Sequence, residues 1–472
     1  MTRSAELTSL TASEAVRLLR AREVSPLELV DAALARIEAT DAVLNALPTL
    51  CPERAREHAR RLTHPEAPGP GWLGGLPIAV KDLEDVAGVR TTYGSPIYAD
   101  HVPERSGILV ERLEANGAIV LAKSNTPEFG AGANTFNEVF GETRNPWNTR
   151  LTCGGSSGGS AAALAAGQVW LATGSDLGGS LRTPASFCSV VGLRPSPGRV
   201  PSGPRETPFE TLSVGGPMGR TVGDVALMLD AMAGRHPEDP LSLEGPAGSF
   251  QAAAASPRVP PRIAFSADLG ISPVEPEVRA VCEAAAQRFA GLGSEVEEAC
   301  IDFRDAPETF RILRAAGFVT DLGPLYETNR GELKPDIVWN VEYGLRLTPE
   351  EIGRADRARG GLYRRVVRFF ETYDLLLCPA ACVAPFDVRT RWIHELEGVV
   401  LDNYVEWLRV TSAITLTSCP AISVPCGFTA DGRPVGLQIV GRPRGEAELL
   451  AAASAFEEAA GIARLLPIDP RP

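Results

Sequence analysis

Lysine is nearly absent from this chain of 472 residues. Of its 46 basic residues three are lysines, Lys81, Lys123 and Lys334, and the rest are arginines. Arginine keeps its proton in a folded protein, whereas a buried lysine can lose it. The few lysines are therefore candidates for places where arginine would fail, with chance as the rival reading. Histidine is almost as scarce. His58, His64, His101, His236 and His394 are the full set, and none falls in or beside the glycine- and serine-rich stretches described below. A Ser-His-Asp triad thus has no local support. Long apolar runs are missing: no stretch reaches the ~18 consecutive apolar residues of a membrane span. Residues 1–11 lack the apolar segment of a secretory signal. Nine cysteines are scattered without a C-x-x-C pair, which fits reduced thiols in the cytoplasm better than a disulfide framework. Cys378 and Cys382 have no histidine or second cysteine pair near them to complete a zinc site. No metal and no cofactor is expected. A net charge of −13, with no cluster of basic residues, argues against a nucleic-acid surface.

What is present suits an ordinary enzyme: 44% hydrophobic and 22% charged residues are enough for a large core and a solvated surface. The length allows two or three domains or one large α/β unit. Residues 7–62 read as helices, with Thr11 and Glu14 spaced as a capping box and Pro26 at a first helical position. Residues 64–75 form a Pro/Gly-rich connector. Strands are predicted at 76–82, 118–123, 262–265, 373–379, 421–425 and 434–441, the last two joined by the turn Asp431-Gly432. Helices are predicted at 108–113, from 221, at 276–292 and at 446–460. Residues 236–261 read as a surface loop, and 303–372 as a mostly helical, charged region able to face a substrate. The alternation of strand and helix predicts an α/β fold.

The stretch from Thr152 to Pro184 stands apart. It holds two glycine-serine clusters, Gly154-Gly155-Ser156-Ser157-Gly158-Gly159-Ser160 and Gly178-Gly179-Ser180, with a helix-forming alanine run and a Val-Trp-Leu strand former between them. Glycines let a ligand come close to the main chain, and serines offer nucleophiles beside exposed N–H groups. A flexible linker would not enclose a helix former and a strand former. A phosphate loop is unsupported, because no lysine follows the glycines. The G-x-S-x-G elbow is not matched at Ser180, where Leu181-Arg182 follows. Lys81 and Lys123 each end a predicted apolar strand, and on the residues alone they are rivals for a functional lysine.

The blocks P-I-A-V-K-D (77–82), K-S-N-T-P-E-F (123–129), R-N-P-W-N (144–148), C-G-G-S-S-G-G-S-A-A-A (153–163), S-D-L-G-G-S-L-R-T-P-A (175–185), V-G-L-R-P (191–195), P-A-I-S-V-P-C-G-F (420–428) and P-V-G-L-Q-I-V-G (434–441) resemble the amidase signature family over nearly the whole chain. The resemblance implies a single α/β/α domain, residues 1–472, around a large mixed twisted sheet. Within it, 1–62 would be N-terminal helices, 76–235 the catalytic core and 303–410 the mostly helical substrate-facing region. It implies a Ser–cis-Ser–Lys triad: Lys81 as base, Ser156 as the cis-serine and Ser180 as the nucleophile that is acylated. It places Lys123 among structural residues. The oxyanion hole would be formed by the backbone N–H groups of Leu177, Gly178, Gly179 and Ser180, with Ser157, Asp176 and Arg182 in support. For Asp176 and Arg182 a structural ion pair is an equal reading. Cys153, Leu177 and Ser189 depart from the family's common residues.

The function implied is hydrolysis of a carboxylic amide C–N bond. Alternatives are a carbamate or aryl-anilide hydrolase using the same site, and the glutamine-hydrolysing subunit of a tRNA-dependent amidotransferase. A silent binding protein of the same fold is disfavoured, since all three triad positions are retained. The acidic composition predicts a small neutral amide and no nucleic-acid partner; no membrane partner is expected, and the chain is expected to be a monomer or homodimer. Trp339, Phe386 and Trp392 are candidates for the pocket wall, with core packing as the rival role for each.

Overall fold

The computed structural model describes residues 3–472. Its centre is an 11-stranded mixed sheet. In chain order the strands are β1 (Thr49–Leu50), β2 (Pro77–Lys81), β3 (Ile119–Ser124), β4 (Leu171–Asp176), β5 (Val191–Arg194), β6 (Val214–Gly219), β7 (Arg262–Phe265), β8 (Glu295–Glu298), β9 (Leu375–Pro379), β10 (Ala421–Phe428) and β11 (Pro434–Val440). They lie in the order β1-β3-β2-β4-β6-β5-β10-β11-β9-β7-β8. The α/β class and the large mixed sheet are as expected. Strands β3, β2 and β4 run parallel, as do β9, β7 and β8. The centre from β4 to β9 is antiparallel. Strands β2, β3, β9 and β11 are buried at every residue, which accounts for their continuous apolar runs.

Helix starts follow the predicted chemistry. Thr11 with Glu14, and Ser25 with Glu28, close capping boxes, and Pro26 opens the second of these helices. The five helices used below are α1 (Gly158–Ala165), α2 (Arg182–Cys188), α3 (Ala306–Asn329), α4 (Pro335–Leu345) and α5 (Pro349–Thr372). The last three form the predicted helical region. Residues 236–261 are not all loop: Phe250–Ala254 is a helix, with Phe250 and Ala254 buried. The Ser249 hydroxyl and the N–H groups of Phe250 and Gln251 donate to the Asp230 carboxylate, and the Ala252 N–H donates to Ser249. This cap and tertiary anchor is what the Pro/Ala composition obscured. The apolar run at 169–173 becomes strand only from Leu171 onward. Among the described residues no helix is long and apolar enough to cross a membrane.

Candidate active site

Strand β2 carries Lys81 into the interior on an apolar run, Ile78-Ala79-Val80, without exposure to solvent. Its backbone N–H donates to Thr173 Oγ1 on β4 at 2.9 Å. Lys81 is in register with Ser124 on β3, whereas Lys123 is in register with Val80. Side chains alternate across a sheet, so the two lysines leave on opposite faces. Ser124 marks the face on which Lys81 lies, since its hydroxyl is 2.7 Å from that of Ser160 on α1.

Lys81 Nζ donates to three hydroxyls: Ser156 at 2.6 Å, Ser157 at 2.9 Å and Ser175 at 2.9 Å. Burial pushes its pKa down to about 7, against the attraction of Asp176 and Glu84. Close to neutrality the amine is therefore available as a base. Lys123 is just as buried but sits 3.3 Å from the Asp82 carboxylate, and it donates to Thr91 Oγ1 at 2.8 Å and to the Glu84 carbonyl. It therefore ties together the loop that follows Lys81 and takes no part in the serine cluster.

Ser156 follows a cis peptide bond, Gly155–Ser156, at the position the family resemblance implies. Gly155 is required by its packing: a Cβ there would fall 2.9 Å from the backbone of Asn134. Ser157 links the cluster to β4, accepting from the Ser175 N–H at 3.3 Å. Strand β4 ends at Ser175-Asp176, and the turn 177–180 leads into α2. Asp176 shapes that turn. Its carboxylate accepts from the N–H groups of Gly179 at 3.0 Å and Leu181 at 3.1 Å. It also holds Arg182 at 2.8 Å and Arg194 at 3.2 Å, all fully buried. Burial works against its charge, but the two guanidinium groups hold the carboxyl far below the usual range. Asp176 and Arg182 are thus a structural pair and line neither cavity described below.

Gly179 takes a positive φ of 124°, and a Cβ on it would strike Thr411 Oγ1 at 2.4 Å. Because its N–H is given to Asp176, three of the four expected oxyanion donors remain. The N–H groups of Leu177, Gly178 and Ser180 meet no acceptor among the described residues. Ser180 is half-buried, and its hydroxyl makes no hydrogen bond among the described residues, to Ser156 or to any other group.

Ser156, Ser175, Leu177, Gly178 and Ser180 line one cavity of about 90 Å³. It shares Leu83, Phe129, Leu177, Ser213, Arg314 and Phe318 with an outer cleft of about 710 Å³. Among the described residues no histidine lines either space. The aromatic wall is Phe129 and Phe318, with Tyr404 in the inner cavity and Tyr93 in the outer cleft. Trp339, Phe386 and Trp392 instead pack against the main hydrophobic core. Ser175, Arg314 and Tyr404 are site residues that sequence reasoning did not single out. Ser175 was legible, being the first residue of the block that carries Ser180. Arg314 and Tyr404 reach the cavity from α3 and from a loop about 130 and 220 residues beyond Ser180, with no local motif to mark them.

The sequence profile of the family described as Amidase matches residues 28–450. The chain belongs to the amidase signature family. An acylamidase of Rhodococcus erythropolis is 38% identical over 453 residues, spanning 95% of each protein. A glutamyl-tRNA(Gln) amidotransferase subunit of Moorella thermoacetica is 37% identical over 487 residues, spanning 96% of this chain and 97% of that protein. The crystal structure of a bacterial aryl acylamidase of the amidase signature enzymes matches with a TM-score of 0.91 at 28% identity, covering 99% of this chain and 100% of the other. The chain is an amide hydrolase. Among the described residues no group of three or more His, Cys, Asp and Glu side chains could hold a metal ion.

Proposed function

We propose that the enzyme cleaves its amide through an acyl-enzyme on Ser180, with Lys81 and Ser156 relaying the proton. Neutral Lys81 takes the proton of Ser156, and Ser156 takes that of Ser180 as its oxygen attacks the scissile carbonyl. The developing oxyanion is received by the free N–H groups of Leu177, Gly178 and Ser180. One such donor is typically worth ~2.7–4 kcal/mol. Ser156 then delivers a proton to the departing nitrogen and is reprotonated by Lys81, and water deacylates Ser180 through the same relay. Ser157 and Ser175 hold the lysine amine in place. The observation that carries this reading is a fully buried lysine amine 2.6 Å from the Ser156 hydroxyl, with no carboxylate within 4.0 Å among the described residues. The decisive experiment is a quench of steady-state turnover on an activated ester followed by peptide mass mapping. An acyl group on the peptide carrying Ser180 supports the assignment, and one on Ser156 overturns it.

Carbamates and aryl anilides present the same acyl carbon and nitrogen leaving group, so they fall within the proposed chemistry. A second reading, release of ammonia from glutamine as part of an amidotransferase, is favoured by the likeness to the Moorella thermoacetica protein. Turnover of simple amides by the purified chain, as monomer or homodimer, would separate it from a protein that works only in a complex. The nine free thiols support a reducing compartment such as the cytoplasm.

A further inference from the structure

The inner cavity departs from the neutral pocket that composition predicts at one residue. Arg314, on α3, is among the described residues the only charged side chain that lines it, and it is 7% exposed. Its Nη2 donates to the Tyr404 hydroxyl at 2.6 Å, and that hydroxyl is also held by Asn340 Nδ2 at 2.7 Å. Nε is buried without a hydrogen-bond partner, and Nη1 has none among the described residues. The guanidinium carbon lies 4.4 Å from the Phe318 ring centroid and 5.6 Å from that of Tyr404. Among the described residues no carboxylate comes within 4.0 Å of it.

Three other buried arginines of the fold have a carboxylate, and a fourth, Arg220, donates to the Thr8 and Leu10 carbonyls. Arg182 and Arg194 share Asp176, and Arg199 pairs with Glu446. Aromatic faces stabilise a cation in part but accept none of its hydrogen bonds. A desolvated charge with unused donors is costly unless a partner arrives. The substrate cavity is where one can arrive. We propose that Arg314 receives a carboxylate of the substrate, carried on the acyl or the amine side only a few bonds from the scissile amide. The proposal rests on Ser180 being the reacting group of the same cavity. The outer cleft carries Glu206, Glu210 and Asp321 beside Arg205. The long-range field there does not draw anions in, and selection is made by the short contact inside.

The test uses two pairs of matched substrates in which an isopropyl group replaces the carboxylate. Succinanilic acid is set against 4-methylpentananilide for the acyl side, and N-butyrylglycine against N-isobutylbutyramide for the amine side. In at least one pair the acid should have the higher kcat/KM by roughly ten- to hundredfold. Arg314→Met should bring that ratio to about one or below, with Arg314→Lys between. Neutral members that match or exceed their acids in both pairs would overturn the proposal, as would a ratio unchanged in Arg314→Met. Calorimetric binding of the same four compounds to Ser180→Ala needs no turnover and no variant at 314. Tighter binding of an acid, weakened by added salt, supports the Arg314 contact even if none is hydrolysed, in which case the proposed reaction alone fails. Equal binding of acid and neutral partner in both pairs sinks the contact whatever the activity.

Discussion

Lys81 and Lys123 are a natural experiment. Both end apolar strands, both are fully buried, and their strands are neighbours. Burial pushes both amines down. Their company then separates them. Lys123 has the Asp82 carboxylate at 3.3 Å, which rewards a retained proton. Lys81 has only hydroxyls, at 2.6–2.9 Å; these accept from an ammonium but can also donate to a neutral amine. The difference teaches that burial alone does not make a base. A base needs burial without a counter-charge.

On the proposed mechanism the largest effect comes from Ser180, the group that Lys81 would serve and Lys123 would not. Ser180→Ala should lower kcat on an amide by about 10⁴-fold or more, as removal of a nucleophile does elsewhere, and it should abolish ester hydrolysis too. Lys81→Arg, which keeps a charge but loses the base, should fall nearly as far in the same assay. Lys123→Arg should be far milder wherever its fold is intact by circular dichroism. Equal losses at the two lysines would erase the comparison.

Ser156 sharpens it next. An amide nitrogen must be protonated as it leaves, whereas a p-nitrophenolate leaves unaided. Ser156→Ala should therefore depress amide kcat/KM more than that of a p-nitrophenyl ester with the same acyl group. The expected gap is about 10²–10⁴-fold, the usual worth of general acid–base assistance. Equal losses on both substrates would confine Ser156 to activating Ser180.

Stability should order the lysines the other way. Lys123→Met leaves Asp82 buried without its cation, a change that typically costs about 3–5 kcal/mol. Lys81→Met strands no carboxylate and should cost clearly less. Urea denaturation of both variants reads this directly, and a reversed order would show that Lys81 carries the structural charge.

The smallest effect is graded with pH. The folded pKa of Lys81, about 7, lies below its ordinary 10.5, so the neutral form dominates above about 7. kcat/KM on an amide should be level above that value and fall about tenfold per unit below it. The acid limb should vanish from the residual activity of Lys81→Arg, because arginine does not titrate there. An acid limb that persists in that variant would belong to another group.

Much of the site was legible in the chain order. The two glycine-serine blocks and the scarcity of lysine pointed to the serines of both blocks and to Lys81 or Lys123, and the family resemblance, with its 24-residue separation (180 − 156), singled out Lys81, Ser156 and Ser180. All three lysines proved to be buried or nearly so, Lys334 at 11% side-chain exposure with Asp336 at 3.5 Å. The capping box at Thr11 and Glu14 and most strands were legible as well, since caps and short continuous apolar runs are local properties. The pocket wall was not. Trp339, Phe386 and Trp392 were reasonable candidates by residue type, yet they went to the core, while Phe129 and Phe318 took the wall.

By itself the sequence determined the chemistry available: which residues can attack, which can give up a proton, and where the backbone can bend closely enough to let them meet. These follow from side-chain type and short-range spacing. Composition and strand pattern left the two lysines equivalent, and tertiary structure turns Lys81 toward the serines, as the family resemblance implied, because sheet register assigns the face of each side chain. It decided that the Gly179 N–H goes to Asp176, and so which donors remain for an oxyanion. It also brought Arg314 into the serine cavity without a carboxylate of its own. Whether a buried charge finds a partner depends on elements far apart in the chain, and no local pattern records that.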